Sequence, residues 1–311
     1  MAKPEQHPGA VASIEQMLVL RHQAADLTFF PRVMANSPLN GQYRSRLRGR
    51  GMDFDEVRPY QAGDDIRTID WRVTARTTLP HTKLFREERE RPVLLICDLR
   101  DAMFFGSRRL KSVVACELTA ALAWAGLAAN ERVGGMIFTA EGQQDVRSKR
   151  SHHIVLRLIH ALHEASLSLL ERRHSGLRLG EITQDMRRVV HPGSSVFLIS
   201  DFHDINDDCK ANLAKLARHS DLTLLQVYDE LEAQLPPPGN YQVFDGEHRF
   251  NLNSGNREFR QRFEQQFKRK QLKLRQIADQ LGTPLIQVKT SASIMPLLHQ
   301  AYGRKRRINR R

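Results

Sequence analysis

Val93-Leu94-Leu95-Ile96-Cys97 is an unbroken apolar run, closed by Pro92 on one side and Asp98 on the other. A run so short is either a strand covered on both faces or a piece of buried helix. Proline suits a first strand position, so the flanks favour the strand. A strand that is apolar on both faces has to lie in a sheet with helices above and below it, the setting of parallel sheets. The crossover follows at once. Leu110, Val113, Val114, Leu118, Ala121, Leu122 and Ala125 recur at the three- and four-residue steps of one helix face. Asp98 is therefore expected at the carboxyl end of a central strand, on the edge where open α/β sheets bind their ligands.

The same alternation continues along the chain. Strands are expected over residues 132–139, 193–202, 222–228 and 284–289, with a short antiparallel return at 144–147. The strand at 193–202 again ends in a carboxylate, Asp201. Helices are expected over 154–165, 182–189, 208–219, 257–281 and 294–302. An earlier helix over 13–27 would be capped by Ser13 and line one face with Ile14, Met17, Leu18, Arg21 and Ala25. Pro236, Pro237 and Pro238 break the pattern, and Asp245-Gly246 marks a hairpin over 241–252. Strands alternating with helices give a doubly wound α/β fold: a mostly parallel sheet with helices on both faces. The expected organisation is a tail and helix at 1–40, a small β-rich segment at 41–90, the α/β domain at 91–303 and a basic tail at 304–311.

The β-rich segment carries its own pattern. Arg44, Arg46, Arg48 and Arg50 would share one face of a strand. Beyond them come Gly49, Gly51, Phe54, Arg58, Tyr60, Gly63, Asp64, Asp65, Arg67, Ile69, Asp70, Trp71, Ala75, Arg76, Phe85 and Glu88. That set resembles the signature of domain-of-unknown-function family 58, in which such a segment precedes a von Willebrand factor A-like domain. Asp64, Asp65 and Asp70 are the right chemistry for magnesium. However, Arg58, Arg67, Arg72 and Arg76 share the segment and no nucleophile accompanies them, so a salt-bridged structural turn is expected, with Asp65 or Asp70 paired to an arginine. Tyr60 and Trp71 are the large anchors of this small layer.

The loop after the first strand of the α/β domain, Asp98-Leu99-Arg100-Asp101-Ala102, resembles the Asp-x-Ser-x-Ser metal loop of von Willebrand factor A-type domains. The aspartate is kept, but Arg100 and Ala102 stand where the two hydroxyl ligands belong. Asp201 matches a second acid of that site. The third ligand, normally a threonine, would fall at residues 148–151, which offer only serines. The resemblance thus implies a degenerate site, at most a weak magnesium site at Asp98 and Asp201. Alanine supplies no oxygen, and arginine brings a permanent positive charge. Arg100 is therefore expected to stand in for the ion, its guanidinium reaching Asp98, Asp201 or both.

The 311 residues are 41% apolar, enough for a packed core, and carry a net charge of +13. Such a charge implies an anionic partner or simply a basic surface. Cys97, Cys116 and Cys209 show no metal-ligand spacing, and an odd count argues against a disulfide framework, which fits a reducing cytoplasm. The longest apolar stretch is expected to be too short to span a bilayer. Four histidines, His152, His153, His160 and His163, lie on one expected helix without the HExxH arrangement. There is no phosphate-binding GxxxxGK[ST] loop and no GxSxG elbow, so an enzyme is not expected. The family resemblance implies an interaction module: an adaptor between a MoxR-type AAA+ ATPase and a client protein, without a cofactor. Its binding face would lie around Asp98, Arg100, Asp101, Ala102 and Asp201. A second reading, binding of nucleic acid or an anionic surface, rests on the basic helix near Lys268-Arg269-Lys270 and the tail at 304–311, with no recognisable nucleic-acid motif.

Overall fold

The computed structural model describes residues 9–27, 52–61, 64–77, 79–87, 91–171, 176–244 and 249–303. The chain divides into two compact units, residues 1–31 with 91–311, and residues 32–90. Gly49, Gly51, Gly63, the arginine repeat at 44–50, the turn Asp245-Gly246 and the tail at 304–311 lie outside the described residues.

The larger unit is built on a six-stranded sheet. Its strands are β3 (Val93–Asp98), β4 (Val133–Thr139), β5 (Gly142–Lys149), β6 (Ser195–Ser200), β7 (Asp221–Tyr228) and β10 (Leu285–Lys289), in the order β10-β7-β6-β3-β4-β5. All neighbours are parallel except β4 and β5. The apolar run is central, between β6 and β4, and every residue of β3 is buried. Alternation along the strands splits the core in two. Val93, Leu95 and Cys97 pack on one face with Phe197, Ile199, Leu225 and Val227. Leu94 and Ile96 pack on the other with Val196, Leu198, Leu222 and Leu224.

The first face is covered by α1 (Ile14–Ala24), α3 (Lys111–Ala128), α4 (His152–Ser168) and α9 (Ile294–Tyr302). The second is covered by α5 (Leu179–Val189), α6 (Asp207–Ala217) and the end of α8 (Arg257–Leu281), which follows the short helix α7 (Glu230–Ala233) and the antiparallel hairpin of β8 (Asn240–Phe244) and β9 (Arg249–Asn253) expected around 241–252. Helix α3 is apolar all round because it is covered all round. It is long and apolar enough to cross a membrane, but 89% of it is buried inside the fold. Its alanines let α1 approach closely, and Trp124 Nε1 donates to the carbonyl of Met17 at 3.0 Å. Thus α1 belongs to the α/β unit and does not stand apart with the tail. Its buried face is Met17, Leu20 and Ala24, whereas Leu18 and Arg21 point outward. Arg21 lies 5.5 Å from the Trp124 ring centre. Ser13 caps the helix as expected.

The smaller unit is an antiparallel hairpin of β1 (Met52–Pro59) and β2 (His81–Glu87), joined through a 3-10 turn at Ile66–Thr68 and α2 (Trp71–Thr77). Its aspartates are consumed by local structure. Asp64 pairs with Arg58 at 2.8 Å and accepts from the backbone of Gln61. Asp65 accepts from Arg67 N, capping the 3-10 turn, and Asp70 accepts from Arg72 N and Val73 N at the start of α2. The basic partner of Asp70 is Lys83, at 3.3 Å, not an arginine. Arg67, Arg72 and Arg76 are exposed. Tyr60 donates its hydroxyl to the Asp64 carbonyl, but Trp71 is 68% exposed and so does not anchor this layer.

Gly135 sets the spacing of β4 against the central strand. A β-carbon there would stand 2.7 Å from the Leu95 carbonyl oxygen and 3.1 Å from a methyl of Leu158. Backbone cannot give way as a side-chain end can. Gly135→Ala is expected to destabilise by about 1–3 kcal/mol, the usual cost of overpacking. Thermal unfolding checks this, and an unchanged melting temperature would contradict the packing described.

Candidate functional site

The carboxyl ends of β3, β6 and β7 meet the starts of α3, α5 and α6, and the buried charges of the α/β unit gather there. Asp98 is the last residue of β3 and only 1% exposed. Alternation turns it toward the α5 and α6 side, the side of Leu94 and Ile96. Arg100, 2% exposed, folds back onto it. Arg100 Nε donates to Asp98 Oδ1 at 2.9 Å and Nη2 donates to Asp98 Oδ2 at 2.8 Å. The same guanidinium donates from Nη1 and Nη2 to Asp204 at 2.8 and 3.0 Å, and from Nη1 to the Leu177 carbonyl at 2.9 Å. A guanidinium has five N–H donors, and every one is matched. Asp98 also accepts from Arg100 N and from the hydroxyl of Ser200 at 2.7 Å. Burial opposes the Arg100 charge, but its hydrogen bonds to Asp98 and then to Asp204 outweigh it and push its pKa up. Burial likewise opposes the Asp204 charge, but its bonds from Arg100 and Leu179 N hold the carboxyl below its usual range.

A second lock sits on the opposite face. Lys111, the first residue of α3, is 1% exposed and donates to Asp201 Oδ2 and to Glu232 Oε1, both at 2.7 Å. Its ammonium also lies 5.9 Å from the centre of the Phe105 ring. Burial opposes that charge, and attraction from Asp201 and Glu232 raises the pKa against it. Asp201 contacts His203 through Oδ1, at 2.9 Å from Nδ1. Burial penalises its carboxylate, but Lys111 and then His203 depress its pKa. His203 is raised, first by the hydrogen bond to Asp201. Asp229, fully buried, accepts from Ser107 N and Oγ, Leu231 N and Thr290 Oγ1, which ties the loop before α3 to the ends of β7 and β10.

The guanidinium thus reaches Asp98, and its second carboxylate is Asp204, not Asp201. Ser200 and Asp201 are successive residues, so they leave the strand end on opposite sides. Ser200 turns to Asp98 and Asp201 turns to Lys111. Residues 148–151 are not at this edge at all. Antiparallel β5 carries Lys149 back beside Val133 at the start of β4, and Ser151 caps α4. The loop that meets Arg100 is the one before α5, through Leu177.

Asp98 and Arg100 are buried beneath the surface, a correction to the expected binding face, and Asp201 shows only 7% of its surface, at the wall of a neighbouring cleft. Asp101 and Ala102 are half-buried, and Phe105, Arg108 and His203 are exposed. The residues do not fit a divalent ion at Asp98. Both carboxylate oxygens are taken, a guanidinium fills the space beside them, and Ala102 has no ligand to give. Among the described residues no group of three or more His, Cys, Asp or Glu is placed to hold a metal. The helix histidines are spread out: His163 Nδ1 lies 2.7 Å from the Ala12 carbonyl, and His160 is exposed.

Arg100→Ala would leave Asp98 charged, buried and short of two side-chain donors, Nε and Nη2. Breaking a buried pair costs about 3–5 kcal/mol. At about 2–4 °C per kcal/mol for a unit of this size, Tm is expected to fall by roughly 10 °C or more. Arg100→Lys, with three donors for five, should recover only a minor part. A Tm within a few degrees of wild type for either variant would contradict the lock.

The His203 contact gives a pH signature. Its folded pKa lies above the ordinary 6.5, so its contribution is complete below 6.5 and lost as pH rises through the raised value. The stability difference between wild type and His203→Gln should therefore be largest in mild acid and shrink above neutrality. Paired thermal melts at several pH values read this directly, and a constant difference would speak against it.

Among curated relatives, the uncharacterized proteins Rv1480 of Mycobacterium tuberculosis H37Rv and Mb1516 of Mycobacterium bovis are each 30% identical over 215 residues. That is 67% of this chain and 65% of theirs, so the chain spans just under two thirds of their length. Among solved structures, the conserved hypothetical protein BatB from Bacteroides thetaiotaomicron is similar at 16% identity and a TM-score of 0.43, covering 68% of this chain and 96% of BatB. The SpRpn10 VWA domain is similar at 12% identity and a TM-score of 0.39, covering 68% of this chain and 95% of that domain. A family model described as "Protein of unknown function DUF58" matches residues 56–273, from the signature hairpin through most of the α/β unit, and the chain belongs to that family.

Proposed function

We propose that the chain is a non-enzymatic protein-interaction module, an adaptor that links a MoxR-type AAA+ ATPase to a client during protein maturation or complex assembly. In this reading the Asp98 loop is a degenerate metal-ion-dependent adhesion loop. The supporting observation is that the carboxyl edge spends its charges internally, in the Arg100 and Lys111 locks. What the edge offers outward is a set of recognition side chains, Asp101, Phe105, Arg108 and His203, on loops held firm from beneath. The setting would be the cytoplasm, where the buried thiols of Cys97, Cys116 and Cys209 stay reduced.

Two experiments test this reading. Magnesium or manganese added to the purified chain should leave its melting temperature unchanged, and micromolar binding abolished by Asp98→Ala would end the degenerate-loop assignment. The purified chain mixed with a MoxR-type ATPase from the same organism should co-elute in a nucleotide-dependent complex. Phe105→Ala with Arg108→Glu is expected to weaken that complex about tenfold. Absence of a complex in every nucleotide state would refute the adaptor role.

A further inference from the structure

A cleft of about 420 Å³ opens beside the Lys111 lock, between the ends of β6 and β7 and the middle of α8. Phe202, Ile205 and Tyr228 line it from the sheet side, and Phe263 and Phe267 from α8. Its volume falls within the range of about 300–1,000 Å³ typical of ligand pockets. Three features set it apart from an ordinary surface groove.

The first is the aromatic stripe. Phe259, Phe263 and Phe267 follow one another at four-residue steps on one helix face. None is buried, and burial along α8 begins only at Leu274. The Phe267 and Tyr228 ring centres are 5.5 Å apart, and those of Phe259 and Phe263 are 6.4 Å apart. Large rings left half-exposed around a cleft mark an interaction surface more than a core. The second is Phe202, held at φ 55°. A bulky residue in the left-handed region is strained, so the wall of the cleft is fixed at a conformational cost. The third is charge. Helix α8 has eight basic residues against three acidic ones. Lys270 and Lys273 line the cleft, and Lys268 and Arg269 are exposed next to them. The acids at the far end, Asp201 and Glu232, are already tied to Lys111.

We propose that this cleft docks an acidic amphipathic segment of a protein partner. Two of its apolar side chains would enter among Tyr228, Phe263 and Phe267, and its carboxylates would lie along Lys270 and Lys273. The combination favours a peptide over duplex nucleic acid or a lipid headgroup, which need the lysines but not an aromatic cleft; single-stranded nucleic acid, which stacks its bases on aromatic rings, is an outcome that the test separates. The proposal rests on the chain being an interaction module, and not on the identity of the ATPase.

The test is a fluorescence titration of the full chain with a labelled 16-residue peptide. The peptide has leucine at alternating three- and four-residue steps and glutamate elsewhere. A scrambled peptide of the same composition, single-stranded DNA and phosphatidylserine vesicles are run beside it. The patterned peptide should bind about tenfold or more tightly than the scrambled one. Phe263→Ala, Phe267→Ala and Lys270→Glu should each weaken it about five- to tenfold. Phe105→Ala with Arg108→Glu should leave it unchanged, which separates failure of the cleft from failure of the ATPase reading. Lys270 is exposed, so its variant stays informative if a phenylalanine variant is unstable. Equal binding of patterned and scrambled peptides, or no binding of either, overturns the proposal. So does DNA or vesicle binding tighter than binding of the patterned peptide.

Discussion

Arg100 is the residue on which the carboxyl edge depends. A buried guanidinium is tolerated only when its charge and all five donors are met, and here three different loops meet them. Asp98 comes from the end of β3, the Leu177 carbonyl from the loop before α5, and Asp204 from the loop after β6. Asp204 also accepts from Leu179 N at the start of α5. Each loop end is thereby fixed to the others through one side chain. The interaction contributes little through its net energy, since desolvation offsets much of the attraction. Its effect is on specificity of position: none of the three loops can shift without leaving a buried charge unmatched.

Lys111 does the same on the other face, at a position that helix electrostatics disfavour. A cation in the first turn of a helix faces the positive end of the macrodipole. The arrangement is stable because Asp201 and Glu232 both reach the ammonium, and Asp201 in turn accepts from its own strand-end backbone at His203 N. The edge therefore has two cations supplied by the chain itself, one on each side of the sheet. Each cation serves two carboxylates, Asp98 with Asp204 and Asp201 with Glu232, so these acids are engaged within the fold and not left open to an added ion.

The layering was legible wherever burial was one-dimensional. Continuous apolar runs placed β3, β6 and β7 together, and α8 was expected over the same span, 257–281, that it occupies. The Arg100–Asp98 pair was legible too, because a cation two residues past a buried carboxylate has nowhere better to go. What could not be read was three-dimensional. Asp98 and Asp201 look equivalent as strand-end acids, yet they differ in parity within aligned strands: Cys97 pairs with Ile199, so Ser200 lies beside Asp98 and Asp201 is already past it. Lys111 drew no expectation from the sequence, since nothing local reveals that Glu232, 121 positions away, closes over it. Residues 148–151 were misplaced because the antiparallel turn at Gly142 reverses the chain to the other edge of the sheet.

The position of the aromatic cleft follows from a mismatch of lengths. Helix α8 has 25 residues and, at 1.5 Å rise per residue, is about 38 Å long. The strand that follows it, β10, has five residues and spans only about 17 Å. In a parallel sheet the crossover helix runs back against the strands, so α8 ends near the amino edge, where β10 begins. Its surplus of about 20 Å must then project past the carboxyl edge. This explains why the buried residues of α8 are confined to Leu274, Ile277 and Ala278 near its end. The projecting half has no sheet beneath it, yet it keeps phenylalanine at every fourth position on the face turned toward the edge. Polar residues there would leave the helix equally soluble. Aromatic ones stand there instead, over the loops that Arg100 and Lys111 hold in place.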